Sequence, residues 1–593
     1  MQSNTNSFLS TSSPRKPDNY SNLSARDYEN HNSLTPERRP HTMESLSSVA
    51  RSSVRSNTHK YGAISESQYE LNDSPFTDHY EKFHTEYELK RTKKEKKKWL
   101  ARIIVGMFVI MMILFYLGSA YVFSAYMKSL NFTTFFLMVL ETDACQGRNR
   151  RNAKIESCDS VDSGFQCQPN FSHYWGQYSP YFSVPSDINP DVPDQCDISF
   201  VQILSRHGAR DPTSRKTADY RQLIHEIHKN TTSYNDQYSF IKDYQYMLGA
   251  DQLSSFGQSQ MKNSGIKFYS RYNFIAQKSS PFIRASGQAR VIDSAKNWTQ
   301  GFHQARLQDS RASDDRNYPY KILVISEDPG SNNTLDHGLC RKFEQGPVSD
   351  IGKSAKATWA SIFAPKITAR LNSNMPGVNL TTYQTISFMS LCPFETVARE
   401  GDHISPFCGL FTDEEWQAYD YYQTLGKYYK YSSGNPLGPT QGVGFVNELI
   451  SRMTNIPVKD HTSTNSTLDN DSETFPIGED TTLYADFSHD NTMISILAAL
   501  GLYNSTPPLS NSTLLDAISL KGFSTSWTVP FAARTYIEKM KCRDIDGELV
   551  RILVNDRVVP LETCGADTLG RCTLSRFIDS LSFAKAGGRW DQC

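Results

Sequence analysis

Residues Cys196 to Thr213 read CDISFVQILSRHGARDPT. Ile198, Phe200, Val201, Ile203 and Leu204 make a near-continuous apolar run, the pattern of a strand buried on both faces. The run ends on Arg206, His207 and Arg210, and helical spacing follows in ADYRQLIHEIHK, where Leu223, Ile224 and Ile227 share a face. The stretch therefore predicts strand, charged loop, helix. Loops at the carboxyl ends of strands in α/β sheets form the crevice where ligands bind. Basic groups packed this tightly repel one another, so the loop is suited to meeting an anion. A solvated loop with accidental spacing is the plainer alternative for the RHG tripeptide alone.

The pattern recurs. KILVISE, Lys321 to Glu327, is a second candidate strand, and LYADFSHD, Leu483 to Asp490, a third. The third runs into NTMISILAALGLY, with Met493, Ile494, Leu497 and Leu500 on a helix face. His489 and Asp490 thus open a helix, whose free N–H groups favour an anion. Phosphate monoesters fit such a crevice. Arginine binds phosphate through a planar fork that stays protonated. Surrounding arginines keep an imidazole neutral and nucleophilic, and a carboxylic acid such as Asp490 can protonate the leaving alkoxide.

The rest of the 593-residue chain is uneven. Up to residue 98 it is rich in Ser, Asn, Arg and Pro, as disordered tails are. Ile103 to Met127 carries no charge and exceeds the roughly 20 residues a membrane helix needs. KRTKKEKKKWLAR, Lys90 to Arg102, precedes it, which predicts a cytoplasmic N-terminus and a single-pass type II topology. All 11 cysteines, from Cys145 onward, follow that segment. So do sequons at Asn131, Asn170, Asn230, Asn297, Asn332, Asn379, Asn465, Asn470, Asn504 and Asn511. Both features fit an extracellular or lumenal domain. The expected organisation is a cytoplasmic tail to residue 98, an anchor over 99–127, a juxtamembrane stalk over 128–157 and a catalytic domain over 158–593. A net charge of −1 gives no support to nucleic-acid binding.

LSRHGARDPT and YADFSHDNTM resemble the two signatures of the histidine acid phosphatases, and the surrounding sequence is similar to the fungal phytases in particular. The likeness runs from about Cys158 to Cys593 through WGQYSPYFSVPS, FIRASGQARVIDSA, NPLGPTQGVGF and VRILVNDRVVPL. It implies a mixed central α/β sheet flanked by helices, with a mainly α-helical subdomain inserted after the first motif, and neither metal nor cofactor. No CxxC or HExxH spacing points to a metal either. It further implies His207 as nucleophile and Asp490 as proton donor. Arg206, Arg210, Arg284 and His489 would clamp the scissile phosphate, and Lys216, Lys427, Gln177, Tyr178 and Asn491 would line the outer pocket. The implied disulfides are Cys158–Cys167, Cys196–Cys542, Cys340–Cys593, Cys392–Cys408 and Cys564–Cys572, with Cys145 left over.

Two positions depart from the family. Asp211 replaces an aromatic residue, and Asp219 stands where some phytases have lysine. Both add negative charge near the path of a polyanion. The expected activity is hydrolysis of phytate or related organic phosphates through a phosphohistidine. The alternatives are a broad acid phosphatase, a mutase of the wider superfamily and a catalytically silent surface module.

Overall fold

Every side chain from Phe200 to Arg206 is buried, which a strand achieves only at the centre of a sheet covered on both faces. The computed structural model describes residues 158–167, 170–313, 317–398 and 403–593. That strand, β1 (Cys196–Arg206), lies at the middle of an eight-stranded sheet. The others are β2 (Phe282–Ser286), β3 (Ile322–Ile325), β4 (Leu483–Ser488), β5 (Arg534–Cys542), β6 (Ile545–Val554), β7 (Arg557–Val558) and β8 (Cys572–Thr573). The order is β8-β6-β5-β1-β4-β2-β3, with β7 on β6. From β1 to β3 the strands are parallel, and from β1 towards β8 antiparallel. The sheet is therefore mixed, as expected.

The main helices are α1 (Ser214–Asn230), α2 (Ser255–Arg271), α3 (Ala289–Gln308), α4 (Pro347–Asn374), α5 (Thr382–Ala398), α6 (Asp413–Tyr431), α7 (Val443–Thr454) and α8 (Asp490–Ala499). Alternation along β1 sends Val201 and Ile203 to one face, where α2 and α3 pack Phe268, Trp298 and Phe302 against them. Phe200 and Leu204 point the other way, onto Val446 and Leu449 of α7 and Met493 and Leu497 of α8. Truncating an aromatic side chain in such a core costs about 3–5 kcal/mol. A third cluster, with Leu223, Leu371, Phe388, Phe394 and Trp416, makes the helical part. It is drawn from two places in the chain: α1 follows the first motif, but α4, α5 and α6 lie between β3 and β4.

All five expected disulfides close. Cys196 and Cys542 are register partners on β1 and β5, and Cys340–Cys593 spans 253 residues. A loop of that length contributes about 5–6 kcal/mol in the chain-entropy account.

The fold class needs one correction. Among the described residues no helix is long and apolar enough to cross a membrane. The expected tail, the span at 103–127, the stalk and Cys145 all lie outside the described residues, so the fold is the α/β domain with its helical part.

Candidate active site

The parallel register of β1 and β4 sets Arg206 opposite Ser488, so the loops that follow, with His207 and His489, leave the sheet side by side. The His207 N–H donates to the Ser488 carbonyl at 3.2 Å, and the two imidazole centroids are 5.6 Å apart. The His207 loop is pressed onto the start of α2. A Cβ on Gly208 would come 2.4 Å from the Gly257 carbonyl oxygen, and one on Gly257 2.0 Å from that of Ala209. Glycine is required at both.

His207 is fully buried. Its Nδ1 lies 2.9 Å from the Gly208 carbonyl, which can only accept, so Nδ1 carries the proton and Nε2 the lone pair. Nε2 has no hydrogen-bond partner. Burial, then the charges of Arg206, Arg210 and Arg290, hold the imidazole's pKa well below 6.5.

The arginines are similarly underused. Arg206 Nη1 donates to the carbonyls of Gln177 and Val529, and its guanidinium lies 4.5 Å from the centre of the Phe531 ring. Its Nε and Nη2 remain buried without hydrogen-bond partners, as do Nε of Arg210 and Nε of Arg290. Burial lowers the pKa of Arg206 to about 10. Three guanidinium groups whose charges act on one imidazole thus carry unsatisfied buried polar atoms, which is costly unless an anion is bound among them.

Asp490 is the first residue of α8. Its Oδ2 accepts from Lys427 Nζ at 2.5 Å and lies 3.6 Å from Arg206 Nη2. Burial would raise its pKa, but Arg206 and Lys427 outweigh that and hold the carboxyl well below its ordinary range. Lys427 also donates to Asn491 Oδ1. The His489 Nε2 is 2.8 Å from Glu327 Oε1. Burial opposes ionisation of Glu327, yet the bond to His489 keeps its carboxyl at about 2. Gln177 and Tyr178 are beside this group: Gln177 bonds Gln423 at 3.1 Å, and the Tyr178 ring is 4.7 Å from that of Phe394. Lys216 sits further out, on Tyr383 Oη at 2.8 Å and Asp219 at 3.7 Å. Asp211 accepts from the Gly249 N–H at 3.2 Å.

Arg284 is not part of this group, which corrects the sequence expectation. It lies inside β2, in register with Asp486 of β4. Its Nε and Nη2 donate to both Asp486 carboxylate oxygens at 2.9 Å, and Nη2 also donates to Glu448 at 2.6 Å. Arg290, six residues on and in the first turn of α3, is the arginine that reaches His207. The missed signal was positional: FIRASGQAR is a third strand-to-helix passage, in which Arg284 lies in mid-strand while Arg290 lies beyond the strand's end, where the crevice forms.

Glu327, Asp336 and His489 bring donor atoms within 4.8 Å of one another, a set able to hold a cation. Among the described residues the other such set contains Cys196 and Cys542, whose sulfurs are already in a disulfide.

Residues 197–555 match the histidine phosphatase superfamily (branch 2). Phytase A of Aspergillus oryzae is 51% identical over 442 residues, covering 74% of this chain and 94% of that protein. Phytase A of Aspergillus fumigatus is 51% identical over 446 residues, covering 74% and 95%. Among solved structures the phytase from D. castellii, 23% identical, superimposes with a TM-score of 0.59 over 72% of this chain and 88% of that one, a likeness of fold. The chain belongs to the histidine phosphatase superfamily, branch 2.

Proposed function

We propose that the protein hydrolyses inositol phosphate monoesters, phytate foremost, with His207 as nucleophile and Asp490 as proton donor. The observation that carries this reading is the set of buried, unpartnered donors on Arg206, Arg210 and Arg290 around Nε2 of His207. A phosphate monoester has the charge and the equatorial oxygens to satisfy them together, with His489 as a further donor. Nε2 attacks phosphorus in line, the bond to the ester oxygen breaks, and the leaving alkoxide takes its proton from Asp490. Among the protein's own charges Asp490 is held ionised; a phosphate dianion offsets Arg206 and Lys427 and lifts the carboxyl towards its protonated form. Water then attacks the phosphohistidine and gives a proton to the Asp490 carboxylate, so phosphate leaves and both groups are restored. Because His207 stays neutral far below 6.5, the nucleophile remains available in acid. The disulfides support action in an extracellular or lumenal space.

The names of the relatives and the lysines beyond the centre support phytate as substrate. A broad acid phosphatase is the second reading, favoured by the Lys216–Asp219 pair, which neutralises one outer cation. Initial rates on phytate and on an aryl phosphate, taken across pH, separate them. We expect kcat/KM about tenfold higher on phytate, as one additional charge-assisted contact would give; equal efficiency rejects the phytase reading. Rapid acid quench is expected to trap a phosphohistidine on His207 in turnover, and hydrolysis without it rejects the mechanism.

A further inference from the structure

We propose that Glu327 is a positioning residue: it fixes the His489 imidazole so that the ring's other nitrogen meets an oxygen of the phosphate at His207. The inference rests on the phosphomonoesterase reading above and adds a residue to it. β3 ends at Ile325 and β4 at Ser488, and in the sheet β2 lies between them. Glu327 therefore reaches His489 across the end of β2, and that end anchors it. Its Oε1 accepts from Ser286 Oγ at 2.5 Å and from the Gln288 N–H at 3.3 Å. Ser286 is the last residue of β2, and Gln288 is the N-cap of α3, two residues before Arg290. Asn333 Nδ2 bonds the same Ser286 Oγ at 3.0 Å. The loops are pressed together there: a Cβ on Gly287 would come 3.0 Å from the Ile325 carbonyl oxygen.

The third partner of Oε1 is His489 Nε2, at 2.8 Å. A carboxylate can only accept, so Nε2 carries a proton, and the ring cannot turn over without losing the bond. That leaves Nδ1 to face a ligand. The ring centre is 5.6 Å from that of His207, with the planes at 68°. Donation from both nitrogens uses the imidazolium form, whose charge the carboxylate balances. Among the described residues His489 is the one ion-pair partner of Glu327, and both side chains are 10% exposed. The Glu327 charge also reaches Arg290 on α3. An acceptor held by its own hydrogen bonds, behind a histidine, sets the plane of the ring and decides which nitrogen is free.

Calorimetry with inorganic phosphate tests this without turnover. Glu327→Gln keeps the size of the side chain and an oxygen that accepts from Ser286 and Gln288, but removes the charge behind the imidazole. Phosphate is expected to bind this variant about tenfold more weakly, the loss of one charge-assisted contact, with the denaturation midpoint unchanged. A purely structural role would leave phosphate affinity as it is. Coulomb repulsion alone would tighten binding, since a negative charge has been taken from beside the anion. In a His489→Ala background the same change is expected to alter affinity by no more than about twofold, because the group it acts through is gone. An unchanged or improved affinity in Glu327→Gln, or an equal loss in both backgrounds, overturns the proposal. Phosphate binding that is lost on chelation and regained with a divalent cation would assign Glu327, Asp336 and His489 to that metal and overturn it too. Wild type that binds no phosphate overturns the proposal together with the reading of function; the other adverse outcomes leave that reading standing.

Discussion

The molecule buries two groups of arginines against the same sheet, and they are spent in opposite ways. Arg284 and Arg452 lie with Asp486 and Glu448, at 2.6 to 2.9 Å across the pairs. This group ties β2, β4 and α7 together. Arg206, Arg210 and Arg290 surround a neutral imidazole and keep buried donors without partners. The first group balances its charge internally; in the second Arg206 shares Asp490 with Lys427 and Arg290 has Asp251 at 3.5 Å, which leaves an excess of positive charge to a ligand. Burial alone does not separate them, since Arg206 and Arg284 are 0% and 2% exposed. The nearest carboxylates do: Arg284 meets two, at 2.6 and 2.9 Å, whereas Arg206 meets Asp490 at 3.6 Å and shares it with Lys427.

The largest effect that would break this contrast is on catalysis. His207→Ala is expected to lower kcat by about 10⁴-fold or more, as removal of a nucleophile does, while the denaturation midpoint at pH 7 stays near that of wild type. Retained turnover would make the second group structural like the first.

Exchanging the roles of two arginines sharpens the point. Arg284→Ala leaves Asp486 and Glu448 buried without one of their cations, so it is expected to cost about 3–5 kcal/mol of stability, read by chemical denaturation. Arg290→Ala removes a phosphate donor, and is expected to lower kcat/KM by about 10²–10³-fold with little change in stability. If Arg284→Ala were stable and inactive, and Arg290→Ala unfolded and active, the assignment would be reversed.

How much of this was legible in the sequence follows from the same contrast. The passage from β1 to α1 was readable, because the apolar run, the charged loop and the 3.6-residue spacing are each local signals. The end of β4 was readable for the same reason, and the strand stops at Ser488, just before His489 and Asp490. KILVISE gave a strand that ends at Ile325, which frees Glu327 to reach His489. What was not legible is partnership. In FIRASGQAR nothing local says that Arg284 faces Asp486, 202 residues away, so the family resemblance implies a phosphate ligand where the fold makes an ion pair. The pairing of Glu327 with His489 was invisible for a related reason: they meet only across the end of β2, 162 residues apart in the chain.

The smallest effect concerns acid. His207 has a folded pKa well below its ordinary 6.5, first because of burial and then because of the arginines. Above about pH 6.5 neither the folded nor the unfolded protein protonates it, and it leaves stability untouched. Below that, the unfolded chain takes up a proton that the folded one refuses, so stability falls as pH falls. The loss amounts to at most about 2 kcal/mol between pH 6.5 and 5, at 1.36 kcal/mol per unit. Arg284 stays charged throughout and adds no such slope. Denaturation midpoints of wild type and His207→Ala, compared at pH 7 and 5, are expected to draw apart in favour of the variant at the lower pH. Parallel midpoints would mean that the imidazole is charged in the folded state, and the nucleophile would then be lacking its lone pair.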